Sequence, residues 1–277
     1  MSRIRNQLTV FTKPWPEMPL AELGRLVKGM GFDGVELPVR PGFQVTPENA
    51  AARLPEARRI LAGQGVKIGS VAATADRDIV AACGEAEVPM VRVMVNVDPD
   101  VGYYETEKRT RERFDALLPL LEERGVAIGV QNHCGNMIGS AIGLMHLIEG
   151  YDPRRVGAVL DLAHCGLVGE PEDMAIDICW SHLLLVNLKS AYWVRSAGPE
   201  VRDAPWHVHW TVGGHGLVNW RAAVRGLGRR RYAGDICLTA EYSIPGETGE
   251  ARGDTVRTYL RQDLDYLRTL FAEEQAG

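Results

Sequence analysis

Eight short apolar runs, separated by longer amphipathic stretches, pace this chain from one end to the other, and that repeat narrows its fold more than any other feature. The runs predicted as strands cover residues 7–11, 34–39, 67–73, 90–95, 127–133, 156–164, 183–191 and 235–242. Most are apolar or β-branched almost without interruption, as parallel strands covered on both faces must be. Between them the spacing predicts helices over 20–30, 47–62, 105–124, 140–149, 219–227 and 253–272. Four of these stop at a glycine (Gly31, Gly63, Gly125 and Gly150), the residue that most easily closes a helix at its carboxyl end.

A β-α unit repeated eight times has two common solutions, a closed barrel and an open doubly wound sheet. The open sheet is expected to carry G-x-G-x-x-G after its first strand. Here Phe11 is followed by Thr-Lys-Pro-Trp-Pro instead. The chain has 277 residues, near the roughly 250 of an eight-fold barrel. The expected fold is therefore α/β: one (β/α)8 TIM barrel spanning residues 1–277. A glycine-rich loop with Gly213, Gly214 and Gly216 comes late in the chain and is weak support for phosphate binding. The segment 196–205, rich in Pro, Gly and charge, is expected to be a mobile loop.

Charge argues against some partners. The formal net charge is −5, and the densest basic run is only Arg229-Arg230-Arg231. Such a chain gains little from a phosphate backbone or an anionic lipid surface, so neither nucleic acid nor membrane is expected. No stretch of about 18 uncharged apolar residues is present to span a bilayer. The five cysteines are odd in number and none forms a C-x-x-C pair, which points to reduced, mostly buried thiols. Residues 1–11 show no apolar secretory core, and the expected location is the cytoplasm.

Chemistry in a barrel of this kind gathers where strands end and loops begin. The predicted strands end in a concentrated polar set: Glu36 and Arg40; Gln131-Asn132-His133; Asp161 with His164; Asn187 and Lys189; Glu241-Tyr242. A buried charge costs several kcal/mol unless paired, so these groups must face each other, a ligand or a metal. Asp161 and Glu241, each after an apolar run, suit a divalent cation; the competing reading is a salt bridge to Arg40 or Lys189. His133 and His164 read equally as ligands, proton carriers or hydrogen-bonded barrel residues. His207 and His209 share one face of an extended segment and read as solvent-exposed. Trp15, Phe43, Tyr103, Tyr104 and Trp193 follow strand ends, where aromatic rings either stack on sugars or pack loops.

The motifs Gly-Phe-Asp-Gly-Val-Glu-Leu (31–37), Gln-Asn-His (131–133), Val-Leu-Asp-Leu-Ala-His (159–164), Val-Asn-Leu-Lys (186–189), Gly-His-Gly-Leu-Val-Asn-Trp (214–220) and Thr-Ala-Glu-Tyr (239–242), in that order, resemble the sugar phosphate isomerase/epimerase family. That family belongs to the xylose isomerase-like TIM barrels, which also include endonuclease IV. The resemblance implies a Mg²⁺ or Mn²⁺ held by Glu, Asp, His and Glu from four strands. At the matching positions stand Gln131, Asp161, Asn187 and Glu241, so this is a divergent member in which two ligands become neutral amides. The implied function is sugar or sugar-phosphate isomerisation or epimerisation, a metal-assisted proton transfer next to a carbonyl through an enediolate.

A glutamine amide is no general base near neutral pH, which leaves Glu241 as the leading base. His164, His133 or Lys189 then carries the second proton, and Lys189 can alternatively polarise the carbonyl. Arg40, His133, Asn132, Trp15 and Trp193 are assigned to binding a small carbohydrate. Three other functions compete: a lyase acting on 3-keto-glycosides, a sugar-binding barrel without catalysis, and an endonuclease-like repair enzyme, the last disfavoured by the acidic charge. Assembly into a homo-oligomer is compatible with the sequence.

Overall fold

In the computed structural model, which describes residues 6–244 and 249–276, the polar strand ends are brought together by barrel closure. The strands and helices follow in the order β1 (Leu8–Phe11), α1 (Leu20–Met30), β2 (Gly34–Pro38), α2 (Ala50–Ala62), β3 (Lys67–Ala72), α3 (Arg77–Glu85), β4 (Met90–Met94), α4 (Tyr103–Arg124), β5 (Ala127–Gln131), α5 (Ala141–Ile148), β6 (Val156–Asp161), α6 (Leu162–Leu167), α7 (Glu172–Cys179), β7 (Leu183–Leu188), β8 (Ser190–Arg195), β9 (Trp206–Thr211), α8 (Trp220–Arg229), β10 (Asp235–Leu238) and α9 (Gly253–Ala276). Eight of the strands close a barrel in the order β1-β10-β7-β6-β5-β4-β3-β2. Every pairing around it is parallel.

All eight predicted strands form this barrel, but three of them end three or more residues early. The sixth stops at Asp161, and His164 lies on α6 rather than on the strand. Asp161 itself is the turning point, its carboxylate accepting Ala163 N–H and capping that helix. The seventh stops at Leu188, and the chain then leaves the barrel in an antiparallel hairpin, β8–β9, before α8. The segment 196–205 is the tip of that hairpin, closed by Ser196 N–H on the carbonyl of Pro205. The eighth stops at Leu238, three residues before Glu241.

Side chains alternate along each strand, so a two-residue step separates the barrel's interior layers. Phe11, Ala72, Met90, Val159, Leu185 and Cys237 pack as one buried cluster inside. Gly129 sits among them without a side chain, since a Cβ there would lie 2.5 Å from the Met90 sulfur. One step nearer the carboxyl ends stand Arg92, Asp161, Asn187 and Thr239, all buried. Around the barrel the helices bury their apolar faces, including Leu23, Val27, Leu54, Leu121, Leu144 and Leu264. Helix ends follow local chemistry: Asp76, Ser140 and Asn219 cap α3, α5 and α8 through their side chains, and Gly31 closes α1 at φ 94°.

Candidate active site

Two polar groups line the carboxyl end of the barrel. On one side Glu36 from β2 meets Arg92 from β4 in a buried ion pair, with Nε 3.1 Å from Oε1, and Ser70 Oγ donates to Oε2 at 3.0 Å. The Arg92 guanidinium lies 4.9 Å above the Phe11 ring, and Arg40 packs over the same ring at 5.8 Å. Arg40 also borders a cavity of about 660 Å³ between the loops after β2, β3 and β4.

On the other side lie the residues expected to hold a cation. Asp161 and Asn187 are register partners on β6 and β7. Gln131 Nε2 donates to Asp161 Oδ2 at 2.8 Å. Glu241 accepts Lys189 Nζ on Oε2 at 2.6 Å and Lys13 Nζ on Oε1 at 2.7 Å. Lys13 also reaches the exposed Glu250 at 2.7 Å. The Lys189 ammonium sits 3.5 Å over the Trp210 ring, a cation–π contact donated by β9. Lys13, Glu241, Trp15 and Phe43 line a second cavity of about 620 Å³.

Hydrogen bonding fixes the two imidazoles. His164 Nδ1 accepts the backbone N–H of Cys134 at 3.2 Å, so its single neutral-state proton is on Nε2. Burial, reinforced by the charges of Lys189 and His133, holds His164 well below its ordinary pKa and keeps it neutral. Its Nε2–H points toward Asp161 Oδ2, 3.7 Å away. His133 Nδ1 donates to the carbonyl of Cys134 at 2.8 Å, so in the neutral ring the lone pair is on Nε2. The centroids of the two rings lie 4.0 Å apart.

The carboxyl groups differ. Burial raises Asp161 above the usual carboxylate range, with Lys189 and His133 working against that shift. For Glu241 burial acts the same way, but the ammonium charges of Lys189 and Lys13 overcome it and hold the carboxyl well below its usual range. A carboxylate so stabilised is a weak proton acceptor, and this departs from the role of leading base expected for Glu241. Three buried polar atoms beside Asp161 have no partner among the described residues: Gln131 Oε1, Asn187 Oδ1 and His164 Nε2.

One residue expected to bind substrate is used elsewhere. Asn132 is fully buried and its polar atoms are consumed: Nδ2 donates to Asp161 O at 3.0 Å and Gly139 O at 3.3 Å, while Oδ1 accepts Asp161 N–H at 2.8 Å. It is a bracket that sets the position of Asp161. Trp193 lies on the hairpin with its indole N–H given to Leu167 O at 2.9 Å, and Trp210 is the aromatic ring against Lys189. Trp15 is buried at the edge of the second cavity. The glycine-rich loop is structural, for Gly213 N–H donates to Asp263 at 2.7 Å and Gly216 presses on Ser190. His207 and His209 lie on β9 beside Ser196 and Tyr192.

Lys13, Arg92 and Trp210 were not among the predicted site residues. Lys13 had a signal: two residues beyond Phe11, the strand's alternation aims it at the same interior. So did Arg92, a lone charge in the middle of Met-Val-Arg-Val-Met.

The donors present accommodate a divalent cation poorly. Gln131 turns its NH₂ toward Asp161, Asn187 offers an uncharged amide, and both Glu241 oxygens already hold ammonium groups. A doubly charged ion 4 Å from one ammonium is repelled by about 8 kcal/mol at an effective dielectric of about 20. A second grouping brings donor atoms of His133, Cys134 and His164 within 4.8 Å of one another. There His164 Nδ1 is already an acceptor, and burial raises the Cys134 thiol, which opposes thiolate formation.

Three solved structures superimpose over nearly the whole barrel. D-psicose 3-epimerase with D-tagatose from Clostridium cellulolyticum H10 gives a TM-score of 0.73 at 16% identity, covering 96% of this chain and 99% of the other. A xylose isomerase-like TIM barrel protein from Mycobacterium smegmatis in complex with magnesium gives 0.70 at 16% identity, covering 99% of both. The apo form of 3-keto-D-glucoside 4-epimerase from E. coli gives 0.68 at 13% identity, covering 95% and 99%. Identities this low carry the fold alone. No curated protein matches the sequence. Among the described residues no helix is long and apolar enough to cross a membrane. Residues 25–270 match the profile of the xylose isomerase-like TIM barrels, and the chain belongs to that family.

Proposed function

We propose that this barrel is an isomerase or epimerase for a small polyhydroxylated carbonyl compound, moving a proton at the carbon beside the carbonyl. One observation carries the reading: Gln131 Oε1, Asn187 Oδ1 and His164 Nε2 are buried together near Asp161 without partners. Each such group costs about 1–3 kcal/mol when left unsatisfied, so their retention at a strand-end site supports a ligand that completes them. Two acceptors and one donor match two hydroxyl groups and a carbonyl oxygen of a sugar. Solved barrels of the same fold include epimerases for D-psicose and a 3-keto-D-glucoside.

The residues divide the work as follows. His164 Nε2–H and the Lys189 ammonium donate to the carbonyl oxygen and stabilise the negative charge that develops there. Glu241 holds Lys189 in place, and Trp210 covers that ammonium from the hairpin side. His133 Nε2, with its ring oriented by the Cys134 carbonyl, takes the proton from carbon. Asp161 is the second proton carrier, a buried carboxyl whose raised pKa suits it to hold and release a proton. Arg40 and Trp15, at the two cavities, contact the outer part of the substrate.

The test is proton exchange. Ketoses, aldoses, sugar acids and 3-keto-glycosides are incubated with the protein in D₂O and followed by ¹H NMR. Loss of the C–H signal beside the carbonyl is expected for at least one class, and it should vanish in His133→Gln and His164→Gln. A sugar that binds and shows no exchange would assign the barrel to carbohydrate binding instead.

A further inference from the structure

We infer that this barrel keeps no divalent cation at its centre, because the ammonium groups of Lys13 and Lys189 supply the positive charge there. The inference concerns the charge balance of the site and is independent of which reaction occurs. Both ammonium groups bind the Glu241 carboxylate, Lys189 on Oε2 and Lys13 on Oε1, with Lys13 shared with Glu250 at the rim, and the Lys189 charge also acts on the nearby Asp161.

The placement of each group points the same way. Lys189 is 5% exposed on its side chain and is held on two sides, by Glu241 Oε2 at 2.6 Å and by the Trp210 ring at 3.5 Å. A side chain fixed so tightly cannot swing aside for an ion without leaving its own charge buried. Lys13 occupies the other oxygen of the same carboxylate at 2.7 Å. Asp161 spends Oδ1 on Ala163 N–H at 3.0 Å and Oδ2 on Gln131 Nε2 at 2.8 Å. Gln131 therefore presents a donor to the carboxylate that a cation would need. The replacement is concerted: neutral amides at two positions remove one negative charge and one imidazole, and two lysines occupy both oxygens of the Glu241 carboxylate.

Manganese binding tests this directly, without any substrate. The protein is purified without chelator, its metal content is measured, and Mn²⁺ is titrated while the free-ion EPR signal is followed. The wild type is expected to carry less than stoichiometric metal and to leave the Mn²⁺ signal undiminished, with an unfolding temperature insensitive to EDTA. Stoichiometric metal, or Mn²⁺ binding in the micromolar range, would overturn the inference. Lys13→Met/Lys189→Met should bind Mn²⁺ at least tenfold more tightly than wild type. Lys13→Met alone changes a side chain that is 29% exposed, keeps the buried Lys189 pair, and should shift affinity in the same direction. If both variants are folded by circular dichroism and neither gains affinity, the lysines are not what excludes the ion, and the inference fails.

Discussion

Asn132 and Asp161 are joined in both directions across two strand ends: Asn132 Oδ1 accepts Asp161 N–H at 2.8 Å, and Asn132 Nδ2 donates to Asp161 O at 3.0 Å. This side chain thus does for the end of β6 what a further ladder rung would do. Removing it leaves a buried N–H and a buried carbonyl, each costing about 1–3 kcal/mol. Asn132→Ala should lower stability by about 2–4 kcal/mol in urea unfolding at pH 7. A loss under about 1 kcal/mol would mean that water or a shifted backbone satisfies both groups.

The pattern of apolar runs was enough to place every barrel strand, because parallel strands packed on both faces leave little freedom in composition. Finding polar residues at strand ends also located Asp161, Asn187, Lys189 and Glu241. What the sequence could not settle was their pairing. The salt bridge from Glu241 to Lys189 was one of two readings for that carboxylate, and Lys13 lay unnoticed in a proline-rich turn. Asn132 and Asp161 read as neighbours in a list of site residues, yet only the turn after β5 shows Asn132 facing backbone. The hairpin hid a second fact, since the start of β8 reads as the end of the seventh strand and β9 as an exposed segment after a loop. Their antiparallel register pairs Ala191 with Trp210, which carries the Trp210 ring back over Lys189.

Glu36 and Arg92 form a charge pair inside the barrel, with side-chain exposures of 1% and 5%. Losing one partner of such a pair leaves an uncompensated buried charge. Arg92→Met should therefore cost about 3–5 kcal/mol. Adding Glu36→Gln to it removes the orphaned carboxylate, and the double variant should recover a large part of that loss. Chemical denaturation of the two single variants and the double variant gives the coupling energy. Additive losses would show that Ser70 and nearby groups, rather than Arg92, compensate Glu36.

Ala240, directly before Glu241, is held at φ 54°, in the left-handed region that an alanine enters at a cost of roughly 1–2 kcal/mol. Glycine relieves this strain. It also loses one buried methyl, worth about 0.8 kcal/mol, and gains freedom in the unfolded chain. Ala240→Gly should then be nearly neutral, within about 1 kcal/mol of wild type. Ala240→Val adds a β-branched side chain at a 2% exposed site and should cost more than 2 kcal/mol, as urea midpoints will report. Equal losses in both variants would place the constraint in packing rather than in the backbone.

Asp263 on α9 ties the site's supporting loops together, accepting Gly213 N–H at 2.7 Å and Tyr242 Oη–H at 2.8 Å. Burial pushes its carboxyl up to about 7, despite those two donors. In the unfolded chain the same group titrates near about 3.9. The folded protein therefore binds this proton more tightly than the unfolded chain does. The stability it contributes is complete below about pH 4 and declines as the pH rises toward about 7, by at most about 1.4 kcal/mol per pH unit. Asp263→Asn removes the titration while keeping a carbonyl oxygen for Gly213, and Tyr242 can rotate its hydroxyl to accept from the new amide. Urea unfolding from pH 4.5 to 8 should show the variant gaining on wild type across that window, with the difference levelling off above about pH 7. Parallel profiles would show that Asp263 titrates at its ordinary value in the folded barrel.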